Sequence, residues 1–303
     1  MMTLVDLSNC ESSGKIYSGA EYKIGIKYSG SDWILKFGTK QSDDNRDVSY
    51  GYVSEYLGSK IFDSLGVPVH DAILGLYSGT PVVAVKDFLF NTNYSFVPFR
   101  EVGESSLDSL HDAYEHRYTY DEIIHMIYSN KKLEDKDLVV SRFWDMYVVD
   151  ALIGNFDRHG YNWGYLRDEN MRYKMAPVFD NGSCLFPKLD GSKIDLILSS
   201  EEEMLKRVYT FPTSQIRYGS KKSSYYDVIS SKEFEDCTKA SIRLIDKLDL
   251  HLVDSIINDI STISSKRKEF YSTILATRYK LLFEDVFKSS KSTSLQQTNI
   301  FLK

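Results

Sequence analysis

Cysteine is scarce. Cys10, Cys184 and Cys237 are the only three in 303 residues, far apart and odd in number. They can build neither a full disulfide framework nor a CxxC metal clip, which points to a reducing compartment. Positive charge is also in deficit, with 37 Lys and Arg against 43 Asp and Glu and a net charge of −6. A nucleic-acid binder ordinarily carries a basic field, so that class of partner is not expected. No apolar run approaches the ~18 residues that cross a bilayer, so no membrane span is expected. The opening stretch MMTLVDLSNC lacks the basic and apolar regions of a secretory signal, and a cytoplasmic location is expected. The six histidines include no HExxH and no i, i+4 pair, which argues against a zinc site.

What is present is ordinary for a folded chain. Hydrophobic residues make up 42% and charged residues 26%, and 22 Tyr supply most of a 14% aromatic content. That much apolar surface supports one large domain or two lobes. YKIGIKY (22–28) alternates, and WILKF (33–37) follows the turn residues SGSD, which predicts a hairpin. Val53, Leu57, Ile61 and Leu65 recur every four residues, which predicts a helix over 48–66 stopped by Gly66. PVVAVKDFLF (81–90) reads as a buried strand. Residues 91–137 are polar and weakly patterned, with one helical piece at 121–128. DLVVSRFWDMYVVDALIGN (137–155) predicts a core helix with Val139, Phe143, Met146 and Tyr147 on one face. WGYL (163–166) and RYKMAPVF (172–179) flank RDEN and predict a second hairpin. Beyond residue 200 amphipathic helices dominate, the longest over 264–287. The expected fold is α+β and two-lobed: a strand-rich N-lobe (1–90), a helical C-lobe (91–287) and a flexible tail (288–303).

The densest chemistry lies in LIGNFDRHGYNWGYL (152–166). Asp157 and Asn162 are five residues apart, and the second hairpin brings Asp180 back beside Asn162. An acid to orient a hydroxyl, with an Asn and an Asp to hold Mg²⁺, is the set that phosphoryl transfer needs. The D-x-x-x-x-N interval is that of a kinase catalytic loop, and FDNG (179–182) stands in the place of the metal-binding Asp-Phe-Gly. Lys36 on a strand and Glu55 on the next helix supply the order of the phosphate-binding Lys and its acidic partner. Taken singly, Asp157 and Asn155 could cap a helix or turn, and Lys36 and Glu55 could be solvated surface. It is their joint order that favours function.

These motifs resemble the HipA-like serine/threonine kinases over roughly residues 10 to 285. The likeness rests on SGAEYK, WILKF, VSEYLGSKIFDSLGVPV, VVAVKDF, FWDMYVVDALIGNFDRHGYNWGYLR and APVFDNGSCLFP. It implies a two-lobed protein-kinase-like fold with ATP and Mg²⁺ as cofactors. Ser18, Gly19, Ala20 and Lys23 would lie over the phosphates, with Lys36 in contact with them and Glu55 steadying it. Lys86, Asp87 and Phe88 would form the hinge that holds adenine. Asp157 would be the catalytic base, His159 and Asn162 would line the phosphate and metal site, and Asp180 would bind the metal. The implied partner is a protein substrate with Ser or Thr, the chain itself included, with Ser13 and Ser18 as candidate positions. HipA toxins carry an extra subdomain before the glycine stretch, and its absence here counts against a DNA-bound antitoxin partner. The C-terminal residues carry few charges, so secretion or host-cell translocation finds no support in the sequence. Two further readings stay open: a kinase acting on a lipid or small molecule, and a nucleotide-binding module without catalysis.

Overall fold

The structure, a computed structural model, describes residues 3–17, 22–38, 40–41, 47–104 and 118–300, with backbone alone at 40–41, 47–48, 103–104 and 285–300. After the short β1 (Val5–Asp6), the alternating stretch forms β2 (Lys23–Tyr28) against β3 (Ser31–Phe37). The turn residues Ser29 and Gly30 both have positive φ, 48° and 73°. That is the primed turn whose twist matches the two strands it joins. A second hairpin repeats the device: β6 (Ala72–Tyr77) and β7 (Thr80–Lys86) meet across Ser78 and Gly79, with φ 50° and 76°. Between them lie β4 (Lys40–Gln41), β5 (Asp47–Val48) and helix α1 (Gly51–Ser64). The sheet order is β1-β6-β7-β3-β2, with β1 parallel to β6 and the other pairs antiparallel.

Side chains alternate across this sheet and give it two distinct faces. Leu7, Ile26, Trp33, Leu35, Val82 and Ala84 form a small outer cluster. Leu74, Val83 and Val85 turn the other way and join the main core with α1. The predicted α1 stripe is all inside, with Val53, Leu57, Ile61 and Leu65 at most 2% exposed.

The helical lobe holds α2 (Phe99–Glu104), α3 (Tyr120–Ser129), α4 (Lys136–Ile153), α5 (Gly191–Ser199), α6 (Glu201–Tyr209), α7 (Tyr225–Ser231), α8 (Glu235–Ile245), α9 (Leu250–Asp259) and α10 (Ser265–Ile300). Its strands are β8 (Ser95–Pro98), β9 (Gly164–Arg167), β10 (Tyr173–Met175), β11 (Thr213–Tyr218) and β12 (Lys221–Ser224). At its centre, α4 packs against α1, α3, α8 and α10. It starts at Asp135, whose side chain accepts from Leu138 N at 2.9 Å. It ends at Gly154, whose φ of 65° is the left-handed C-cap that glycine adopts without a Cβ penalty. The predicted hairpin of 163–179 is β9 with β10, and β8 adds a third strand to it.

The polar connection read from 91–137 therefore contains a strand and a helix that periodicity did not mark. The β11–β12 hairpin was hidden in the same way, within a region read as helical. The longest helix continues to Ile300, past the Phe287 end that its apolar period suggested.

Candidate active site

Register decides where Lys36 points. Lys23, Gly25 and Asp32 share its side of the β2–β3 pair, because Lys23 lies opposite Lys36, Gly25 opposite Ile34, and Lys27 opposite Asp32. This is the face that looks onto α1 and the helical lobe. Lys36 Nζ donates to Glu55 Oε2 at 2.8 Å and to Asp180 Oδ1 at 2.8 Å. Glu55, set off the apolar stripe of α1, is turned fully inward, with its side chain 1% exposed. Its second oxygen accepts from Asn181 N at 3.1 Å and lies 3.0 Å from His70 Nε2. Burial alone would strip the charge from Lys36, but the carboxylates of Glu55 and Asp180 outweigh it and hold the ammonium well above its ordinary pKa. Burial likewise opposes ionisation of Glu55, and Lys36 and His70 overcome it, so its carboxyl lies well below the usual range.

The loop after α4 is fixed by a second buried network. Arg158 reaches back to Asp150 through Nε at 2.8 Å and Nη2 at 3.0 Å, a fork on a carboxylate that is 1% exposed. The same guanidinium donates to Asn162 O at 3.0 Å, to Asn181 Oδ1 at 2.6 Å and to Phe179 O. One side chain thus ties α4, the Asp157 loop and the Asp180 segment together. Asn155 Nδ2 donates to Asp150 Oδ1 at 3.0 Å, while its own side-chain oxygen accepts from Asp157 N at 3.1 Å. Asn162 Nδ2 donates to Asp157 O at 2.8 Å, closing the five-residue interval. Arg142 holds the end of the hairpin, donating to Met175 O at 2.8 Å and Ala176 O at 3.0 Å. A parallel bridge between Val69 and Val178 binds that end to the strand-rich lobe.

Asp157 and Asp180 feel one another. Burial, followed by the charge of Asp180, raises the Asp157 carboxyl above its ordinary value of 3.8, against the lowering pull of His159. Asp180 is lowered instead: burial opposes ionisation, but Lys36 outweighs it, with help from Lys23. Asp180 has the left-handed φ of 59°, a conformation that Asp tolerates better than most residues. Two carboxylates in mutual repulsion, with the Asn162 amide turned so that its nitrogen is engaged, fit a hard cation held by oxygen atoms. Among the described residues no group of three or more His, Cys, Asp and Glu could hold a metal. A small ligand set of one or two carboxylates and an amide oxygen is how Mg²⁺ binds beside substrate phosphates.

At the far end of the cleft, the three hinge residues differ. Lys86 lies opposite Trp33, so its side chain is on the outer face, 3.4 Å from Asp71. Phe88 packs on Phe96 and Phe179, with ring centroids 6.1 and 5.8 Å away. Asp87 is buried and accepts from Leu89 N at 2.9 Å. Its other oxygen takes two residues from the segment before β2: Lys15 Nζ at 2.8 Å and Tyr17 Oη at 3.2 Å. Lys15 also lies 3.0 Å from Asp32. A Cβ at Gly25 would sit 2.9 Å from the Tyr17 ring, so the missing side chain of Gly25 admits that ring to the cleft face. Burial and the charge of Asp87 push the Tyr17 hydroxyl up to about 12. Ser18, Gly19 and Ala20 lie outside the described residues.

Lys36, Glu55, Asp180, Asn162 and Asp157 are thus joined by contacts or by charge, with Lys23 on the same face. His159 is exposed at the loop edge, where its backbone N donates to Asp157 O at 2.8 Å. Sequence reasoning did not single out Lys15, Tyr17, His70, Asp150, Arg158 or Asn181. Arg158 and Asn181 adjoin motif residues and were legible as polar neighbours; the others are brought in only by packing.

This pairing of a strand Lys with a helix Glu, facing a loop with Asp and Asn, defines a kinase-like fold. The profile of the HipA-like C-terminal domain matches residues 16–248, and the chain belongs to that family. It is 34% identical over 301 residues to "Serine/threonine-protein kinase CtkA" of Helicobacter pylori, spanning 97% of this chain and 91% of that protein. The crystal structure of the H. pylori proinflammatory kinase CtkA matches with a TM-score of 0.87 at 32% identity, over 95% of this chain and 99% of that one. HipA of Shewanella oneidensis MR-1, solved with HipB and operator DNA, matches at 0.53 and 12% identity over 88% of this chain and 64% of its own, a likeness of fold alone. No helix among the described residues is long and apolar enough to cross a membrane.

Proposed function

We propose that this HipA-like kinase uses Mg-ATP to phosphorylate serine or threonine hydroxyls of a protein substrate, its own chain among them. The observation that carries the reading is the Lys36 ammonium, held charged between Glu55 and Asp180 at 2.8 Å each, within the electrostatic reach of Asp157. Lys36 neutralises the α- and β-phosphates, and Glu55 fixes where its nitrogen sits. Asp157 accepts a hydrogen bond from the substrate hydroxyl and aims it at the γ-phosphorus. Asn162 and Asp180 hold the metal, which supplies neutralisation of charge on the β- and γ-phosphates when bound. Lys23 adds positive charge on the same face, and Asp87 and Phe88 border the base. Ser13 and Ser18 are the positions for self-phosphorylation.

The test is incubation of the purified protein with Mg-ATP, then intact-mass and phosphosite mapping, with Asp157→Ala alongside. A mass gain on Ser or Thr in the wild type alone is the expected result. Gain in the variant too would remove Asp157 from its role. Nucleotide binding without any phosphoprotein would move the reading toward a small-molecule acceptor.

A further inference from the structure

Asp157 borders a second space. A cavity of about 650 Å³ opens beside it, lined by Arg100, Arg217, Tyr161, Trp163 and Ile216 among others, and by none of Lys36, Glu55 and Asp180. Asp157 therefore stands between two compartments, the Lys36 cleft on one side and this cavity on the other. Transfer to a hydroxyl requires that arrangement, because donor and acceptor must approach the same acid from different directions.

The cavity inverts the charge of the molecule. The whole chain carries −6, yet the ionisable lining groups are Arg100, Arg158, His159 and Arg217, with Asp157 the one carboxylate. Arg158 is neutralised by Asp150 beneath the loop. Arg100 is buried and built into the loop: its N donates to Gly160 O at 3.0 Å, and its guanidinium lies 5.5 Å from the Tyr161 ring centroid. A Cβ at Gly160 would come within 3.1 Å of Arg100 Cβ, so glycine is what lets the two chains close up. Arg217 is exposed and has no acidic partner among the described residues. Its backbone is nonetheless fixed, since its N donates to Tyr118 O at 2.9 Å. The floor is aromatic, with Phe99 stacked on Trp163 at 4.0 Å.

We infer that this cavity is the acceptor subsite and that it selects polypeptide in which an acidic side chain flanks the phosphorylated Ser or Thr. The inference rests on the kinase reading above. Arg217, with Arg100 behind it, is the specificity-determining charge, and the aromatic floor takes the apolar part of the same segment. A basic flanking residue would face Arg217 and Arg100 without compensation.

The experiment compares phosphorylation of Ser/Thr peptides matched except for Glu or Lys at each flanking position, by wild type and Arg217→Glu, with ATP affinity measured separately. The wild type is expected to favour at least one Glu-flanked peptide. Arg217→Glu should cut the Glu-to-Lys preference by about fivefold or more, the scale of a partly exposed ion pair that is lost and then reversed, with ATP affinity unchanged. A wild type indifferent to flanking charge, or a preference that Arg217→Glu leaves intact, would overturn the subsite. Phosphorylation of no peptide, with ATP still bound, would overturn the kinase reading itself and the subsite with it.

Discussion

Asp157 shows how a catalytic role and stability pull apart at one residue. Its folded carboxyl is raised above 3.8 by burial and by Asp180. The folded state therefore holds a proton to higher pH than the unfolded chain does. The stability that this protonation contributes is present below the unfolded value and is lost as pH rises through the folded one. At neutral pH the ionised Asp157 is thus a strained charge. The hydrogen bonds from Asp157 N to Asn155 and from Asn162 to Asp157 O use backbone atoms, and Asn would keep them. Asp157→Asn is expected to abolish phosphorylation while leaving the melting temperature unchanged or raised. The acid limb of the wild-type kcat/KM profile should lie above the ordinary aspartate value, because the base works only when ionised. A profile flat down to pH 4, or a variant that melts well below wild type, would contradict the assignment.

The Asp157–Asn162 interval and the Lys36-to-Glu55 order were legible at this scale because each depends on local spacing. The direction of Glu55 was not. Off the apolar stripe, it could face water or the cleft, and only the arrival of Lys36, His70 and Asn181 turns it inward. Lys86 shows the same limit: PVVAVK is apolar on both faces, so the strand parity that places Lys86 outside became visible only through its register with Trp33.

Among the elements, the segment before β2 carries the most distinct consequence. Tyr17 lies on the cleft face against Gly25, with its hydroxyl on Asp87. A nucleotide whose base meets the hinge and whose phosphates meet Lys36 must pass under the same stretch of β2 and β3. Tyr17 and the base compete for that surface. Tyr17→Ala is expected to tighten ATP binding by roughly three- to tenfold, the scale of one hydrogen bond and its packing, as read by calorimetric titration. Weaker binding in the variant would mean that Tyr17 stacks on the base instead.

Element identity followed periodicity where one face is buried, as in α1 and β2–β3. It failed where burial is partial. The four residues of β8 are all only half-buried, so they show no apolar alternation, and their strand exists because β9 offers its edge. The β11–β12 hairpin likewise depends on its partner and carries Arg217 to the cavity.

On the scale of the whole molecule, Arg278 is the tie that α10 makes to the catalytic end of α4. It is wholly buried without a carboxylate, and burial lowers its pKa to about 10. Its guanidinium donates to Ala151 O at 2.6 and 2.9 Å, to Leu152 O at 3.2 Å and to Arg207 O. These are the carbonyls that a helix C-terminus leaves without partners. Arg278→Ala is expected to cost about 3 kcal/mol and lower the melting temperature by roughly 6 °C or more, as measured by scanning calorimetry. Arg278→Lys should fail to restore it, because a single ammonium lacks the planar fork. Full recovery with Lys would show that charge alone was needed.

By itself the sequence determined the α+β order of elements, the two-residue turns, the apolar stripe of α1, and the Asp157–Asn162 interval with Asp180 one hairpin away. All of these follow from contacts between residues close in the chain, where period and turn chemistry leave few alternatives. Tertiary structure alone decided which face Lys36, Glu55 and Lys86 present, that Lys15 and Tyr17 close on Asp87, and that Arg278 caps α4 from 127 residues away. Those contacts join distant segments. A buried charge takes its direction from the partner that compensates it, and the partner's position is a property of the packed whole.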